Sequence, residues 1–184
     1  MLPKLDFIDR ISDNLEAIII SHGHEDHAGA TAFFADKINC PVYATNFAKT
    51  LIENRLKEFN SLDKIKLIAI DSKKPIKLKN FELNFISTTH SIPEPNAIVI
   101  NTKYGNLLHT ADWKIDQKSS FGDNFDLDEF EKLGNEGLLA LIGDSTNADV
   151  PGFSKSESEV RTELIKIFSR YHQRIVITCF SSNI

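Results

Sequence analysis

The sequence predicts an α+β fold. Short β-branched runs alternate with amphipathic stretches at helical spacing, and no repeat, low-complexity tract or Pro/Gly/Ser linker divides the chain. The length, 184 residues, suits one domain with a real core better than two.

The elements follow in order. Residues 16–21, Glu-Ala-Ile-Ile-Ile-Ser, read as a buried strand bounded by a polar loop. Residues 30–38 read as a short helix, 41–44 as a strand and 46–59 as a second helix. Residues 66–71, 76–79 and 81–88 are strands joined by turns. Residues 97–102 and 107–110 form a hairpin around Lys103-Tyr-Gly-Asn106, where Gly105 is free to adopt positive φ. A short helix over 127–133 precedes an apolar strand over 138–142. The longest helix spans 156–171. It opens on a Ser156-x-x-Glu159 capping pattern and aligns Val160, Leu164, Ile165, Ile167 and Phe168 on one face. Residues 174–180 read as a last strand. Both ends are abrupt, and a buried strand needs neighbours on both edges. The sequence therefore reads as the middle piece of something larger.

Composition narrows the class. With 41% hydrophobic and 26% charged residues the chain is an ordinary globular protein, not a mostly disordered one. A formal charge of −5 argues against gripping nucleic acid by bulk charge alone. It leaves open a site where metal ions supply the positive charge. Lys64, Lys66, Lys73, Lys74, Lys77 and Lys79 are the one basic concentration, and lysines flanking strands usually form a solvated edge. Cys40 and Cys179 are far apart with no CxxC spacing, which gives neither a disulfide framework nor a zinc ribbon. No apolar run approaches the roughly 20 residues of a membrane-spanning helix. The charged N-terminus is not a secretory signal, so the expected setting is cytoplasmic.

The chemistry concentrates in His22-Gly-His-Glu-Asp-His27, which holds three of the six histidines. Placed just after a strand, such a turn points imidazoles and a carboxylate into one small volume, the ligand set of zinc-like divalent ions. His22 and His24 can pinch one ion, and Asp26 and His27 can hold a second alongside. Gly23 removes a side chain where crowding would be worst. His90 and Asp112 follow at strand ends. A first site with two histidines lacks a third ligand, and a dinuclear site wants a bridging carboxylate, but spacing alone assigns neither role.

His22-x-His-x-Asp-His27, His90 and Asp112, taken in order, resemble the metal motifs of the metallo-β-lactamase superfamily. The flanks resemble, more narrowly, the ribonuclease J family of its β-CASP nuclease branch. The matching stretches are residues 20–29, Thr89-His-Ser-Ile-Pro-Glu94, residues 108–116, and Gly143-Asp-Ser-Thr-Asn-Ala-Asp-Val-Pro-Gly152. The tail Thr178-Cys-Phe-Ser-Ser-Asn-Ile184 resembles the opening of the inserted β-CASP domain. The resemblance implies an αββα sandwich, incomplete here: a partial metallo-β-lactamase domain over 1–173 and the start of a truncated β-CASP domain over 174–184. It implies that His22, His24 and His90 bind one zinc, that Asp26 and His27 bind a second, and that Asp112 bridges both. Manganese or magnesium are the alternative ions. Asp144 matches an acidic residue that supports catalysis from just outside the metal shell. His109 matches a position beside the site that is no family ligand, and receives no role.

Ala111 and Trp113 replace the family's usual Gly and Phe around Asp112, the extra methyl reading as a small perturbation. By the resemblance, the last histidine ligand of the second metal and the histidine proposed as general acid lie outside this chain. The expected function is thus a zinc-dependent ribonuclease piece of the 5′-3′ exo- and endonuclease type, weak or inactive alone, acting on RNA. A second chain supplying the missing parts, and homo-oligomers of the intact family, are the expected partners. The alternatives are a small-molecule hydrolase of thioesters or lactams, and a non-catalytic remnant or split-gene subunit. His172, at a helix end, reads as plain surface. Ser145 lacks a nucleophile elbow and reads as structural.

Overall fold

The computed structural model describes residues 4, 6–120 and 122–180. After a short helix α1 (Asp6–Ile11), three strands form a parallel sheet in the order β1-β2-β3: β1 (Ile18–Ile20), β2 (Val42–Ala44) and β3 (Leu67–Ala69). A single helical turn, α2 (Glu25–Ala28), and the helix α3 (Asn46–Glu58) lie in the crossovers. Parallel strands need such connections, and α3 packs back on β2 and β3. Thr45 caps α3, its Oγ1 accepting from the Ala48 amide at 3.4 Å. The core beneath is aliphatic: Ile20, Val42, Ala44, Ala48, Ile52, Leu56 and Ile65 are buried together.

The second sheet has the order β4-β5-β6-β7-β8, formed by β4 (Ile76–Lys77), β5 (Glu82–Ser87), β6 (Asn96–Thr102), β7 (Gly105–His109) and β8 (Ala140–Ile142). All pairings are antiparallel except β7–β8. Helix α4 (Leu127–Glu136) supplies that crossover. Its Leu133 and Phe130 pack with Ile86, Ala97, Val99 and Leu108, which share one face of the sheet. The opposite face carries Leu83 and Ile98, also buried. Two sheets, each with its own helix and core, make the α+β architecture expected. Side chains tie the halves: Glu16 accepts from the Lys79 amide at 2.7 Å, and Glu94 accepts from the Phe47 amide at 2.9 Å.

Several expectations need correction. The hairpin turn is two residues, Lys103 and Tyr104, not four, because Thr102 pairs with Gly105. Gly105 takes φ +139°, the positive value foreseen. The helix expected over 30–38 is a 3-10 helix, Thr31–Lys37, and α4 runs three residues beyond its expected end. Residues 174–180 form no strand. The β-branched letters are there, but the segment is exposed and joins neither sheet among the described residues, so no strand ladder forms on its backbone. The expected second-domain segment falls partly outside the described residues, at 181–184. The last helix, α5 (Glu157–Arg170), forms where predicted. Ser156 accepts from the Ser158 and Glu159 amides, and the apolar row from Val160 to Phe168 is exposed.

Leu56 is fully buried under the first sheet. Leu56→Ala is expected to cost about 2–5 kcal/mol in urea unfolding, the range for removing a packed leucine.

Candidate metal centre

β1 ends at Ile20, and the chain then turns sharply into α2. Gly23 makes that turn fit: a Cβ there would sit 3.1 Å from a Leu51 methyl and 3.2 Å from the Phe47 ring. His22 and His24 precede the helix, His24 at its N-cap, while Asp26 and His27 lie within it. His90 follows β5 through Thr88 and Thr89, and Asp112 follows β7. Three separate stretches of chain thus bring the chemistry together at one end of both sheets.

Three ring nitrogens converge. His22 Nε2 is 3.1 Å from His24 Nδ1, which is 3.1 Å from His90 Nε2. His24 Nδ1 offers a single proton or a single lone pair, so it can complete only one of these two contacts as a full hydrogen bond. Donors at roughly 2.0–2.1 Å in a tetrahedral set around one ion lie about 3.3 Å apart, so the cluster fits an ion shared by all three. Asp112 joins this group with Oδ2, 3.7 Å from His90 Nε2. Its other oxygen, Oδ1, lies 3.3 Å from His27 Nε2, and His27 Nε2 is 3.6 Å from Asp26 Oδ2. Two donor groups result, His22-His24-His90-Asp112 and Asp26-His27-Asp112, with the Asp112 carboxylate common to both. The first is buried or half-buried, whereas the Asp26 side chain is 78% exposed.

Burial holds the imidazoles neutral. His22 is fully buried, and desolvation, reinforced by the neighbouring rings of His27, His24 and His90, lowers its pKa to about 3. His24 and His90 are also lowered, burial again being the main cause. Neutral imidazoles are what a divalent ion requires. Ser21 Oγ, 3.0 Å from His22 Nδ1, orients that ring from behind.

Asp144, just after β8, lies outside both donor groups. The Thr146 amide, donating to its Oδ1 at 2.8 Å, holds its carboxyl below the usual range, and its charge acts on His90. Its own amide donates to Thr110 Oγ1 at 3.0 Å, which ties it to the turn that carries Asp112.

That turn holds what the sequence did not reveal. Ala111 has φ +52°, in the left-handed region, so an alanine there carries strain that a glycine would not, and not merely an extra methyl group. The penalty for a residue with a Cβ is roughly 1–2 kcal/mol. The Ala111 amide donates to His109 Nδ1 at 2.9 Å. Further support comes from a bridge between Thr89 and Lys114, which fastens the His90 segment to the Asp112 segment. Thr89 Oγ1 donates to the Lys114 carbonyl and accepts from the Asp116 amide at 3.1 Å. Asp116 is buried, which pushes its pKa up, but the Glu157 and Lys118 amides and the Lys114 ammonium outweigh this and lower it. Its Oδ2 accepts from the Glu157 amide at 2.8 Å and so pins the start of α5 to the site. The alternation Asp112-Trp-Lys-Ile-Asp116 was the available signal for this clamp.

A family model described as the metallo-beta-lactamase superfamily matches residues 3–113. The chain belongs to the metallo-β-lactamase superfamily. Membership implies divalent-metal binding, and the structure holds a His/Asp cluster suited to it. Within the superfamily, the chain is 39% identical over 184 residues to ribonuclease J 1 of Streptococcus pyogenes and 41% identical over 184 residues to ribonuclease J of Sinorhizobium meliloti. Ribonuclease J2 of Bacillus subtilis is 33% identical over 184 residues. Each alignment covers 100% of this chain and 33% of the relative, so the chain spans about a third of the length of these curated relatives. A solved structure of a protein of unknown function from Enterococcus faecalis shares the fold, with a TM-score of 0.59, 14% identity, and coverage of 84% of this chain and 39% of that one. No helix among the described residues is long and apolar enough to cross a membrane.

Two outcomes are expected. Thr89→Val keeps the shape but orphans the Asp116 amide, and should cost about 1–3 kcal/mol in urea unfolding. The lowered histidines contribute stability that is present above their ordinary pKa of 6.5 and lost as pH falls toward the folded value, about 3 for His22. Metal-stripped chain should therefore lose stability between pH 6.5 and pH 4. His22→Asn should remove up to about 1.4 kcal/mol per pH unit of that slope.

Proposed function

We propose that this chain carries the metal-binding part of a zinc-dependent ribonuclease of the ribonuclease J type. The observation that carries this is Asp112, whose two carboxylate oxygens face two different donor groups. The proposal assigns His22, His24 and His90 to one ion, Asp26 and His27 to a second, and Asp112 to both. Identity to ribonucleases J along the whole chain supports RNA as the substrate class. The six-lysine concentration contributes little to RNA binding on this view, since Lys64, Lys74 and Lys77 already pair with Asp36, Asp71 and Glu82.

When bound, a pair of divalent ions supplies Lewis-acid charge and lowers the pKa of water toward neutrality. The protein's part is to hold that charge where a phosphodiester can approach. Buried neutral imidazoles fix one position, the more exposed Asp26 leaves the other open to solvent, and the ionised Asp144 borders His90. Hydrolysis adds water to the phosphorus and breaks the bond to the 3′-oxygen, which must then receive a proton. No residue of this chain is assigned that step. With a third of the relatives' length, the chain alone is proposed to be weak or inactive. Residues 174–184 are proposed as the start of a β-CASP segment, and the setting as cytoplasmic.

The two groups predict unequal metal affinities: four donors, mostly buried, against three donors with one exposed. Elemental analysis after dialysis against zinc-free buffer is expected to find one zinc per chain, the second having dissociated. Two retained ions, or none, would contradict the assignment. With zinc or manganese present, 5′-monophosphorylated RNA should be cleaved slowly if at all, and Asp112→Asn should abolish any cleavage. Turnover of a chromogenic lactam or thioester without RNA cleavage would replace the ribonuclease proposal by a small-molecule hydrolase.

A further inference from the structure

We infer that His109 is a positioning residue for the Asp112 carboxylate. The inference rests on the proposed role of Asp112 and goes beyond it, because His109 belongs to neither donor group. His109 ends β7, where its backbone is held on both sides, paired with Ile98 of β6 and Ile142 of β8. A residue so fixed is a firm anchor. Its Nδ1 accepts the Ala111 amide at 2.9 Å, bridging across Thr110 to the residue that must hold φ +52°. Thr110 is tied separately, its amide donating to the Ile142 carbonyl at 3.0 Å and its hydroxyl to the Ala111 carbonyl at 2.9 Å. The corner at Ala111 is therefore pinned through its own amide by His109 and through its carbonyl by Thr110.

Asp112 is the next residue. The direction in which its side chain leaves the backbone is set by the Ala111 dihedrals, and both carboxylate oxygens must reach their partners at once. Glycine would hold the left-handed conformation unaided. Alanine prefers to leave it, and the imidazole acceptor opposes that tendency. Asparagine places a side-chain oxygen where it can accept the amide two residues on, as in an Asx turn. It is thus the conservative replacement, whereas leucine keeps bulk and removes the acceptor.

The test is zinc affinity of the 184-residue chain by competition with a chromophoric chelator, with circular dichroism as the folding control. H109L is expected to weaken zinc binding by about 10–100-fold, as loss of an orienting hydrogen bond does, and H109N to stay within about threefold of the unsubstituted chain. Adding A111G to H109L should restore most of the loss, because glycine needs no acceptor to hold the corner. A plain packing role would predict no such rescue. H109L binding zinc normally, while D112N does not, overturns the inference and leaves the metal site standing. D112N binding zinc normally overturns the site assignment itself. Should H109L fail to fold, H109N decides: a loss of tenfold or more overturns the acceptor role, and near-normal affinity supports it.

Discussion

Three imidazole nitrogens crowded within 3.1 Å contacts, one ring fully buried, set the terms for the rest of the molecule. Such a cluster leaves one His24 contact without a full hydrogen bond, and its innermost ring, His22, is shut away from water. Lone pairs facing one another at a half-buried site are unfavourable unless a cation can share them. The arrangement persists only because the surroundings dictate it. The tight turn at Gly23, the hydroxyl of Ser21 and the clamp from Thr89 to Asp116 each remove a way for the rings to move apart.

The scaffold supplies this rigidity from two sources. The parallel sheet presents His22 and His24 from the end of a buried strand backed by Ile52 and Leu56. The second sheet presents His90 and Asp112 from strands whose common face packs on α4. Neither half holds a complete donor group among the described residues. The position of Asp112 is the delicate one, since it depends on a non-glycine corner in the left-handed region. Strain of that kind survives where neighbours over-determine the conformation, and here a ring nitrogen, a hydroxyl and a sheet edge all do so.

Much of this was legible in the letters, and the exceptions are instructive. Ser156 announced its helix because capping is local chemistry, a side-chain oxygen meeting an amide within three residues. The strands of the second sheet were readable as short β-branched and apolar runs between turns. The side chains named in the histidine motif do lie together in the structure, although the helical turn within the motif was not foreseen. Residues 174–180 failed because β-branched composition states a preference, and only a partner strand can satisfy it. The significance of Ala111 was hidden for a different reason: an alanine's strain shows only when φ is known. His109 was passed over because its role is that of an acceptor toward the backbone, a job no motif spells out.

Donors from two separately cored halves meet at the proposed site, and this has a mechanical consequence. An ion held there would act as a removable staple across the seam, joining the strand end at His24 to the loop at His90. The free concentration of that ion would then govern how readily the seam parts, through the mass-action stabilisation that any ligand of the folded state confers. Heat tolerance and breathing of the whole chain would track the composition of the surrounding medium, a property usually associated with calcium-dependent folds and here built from histidine.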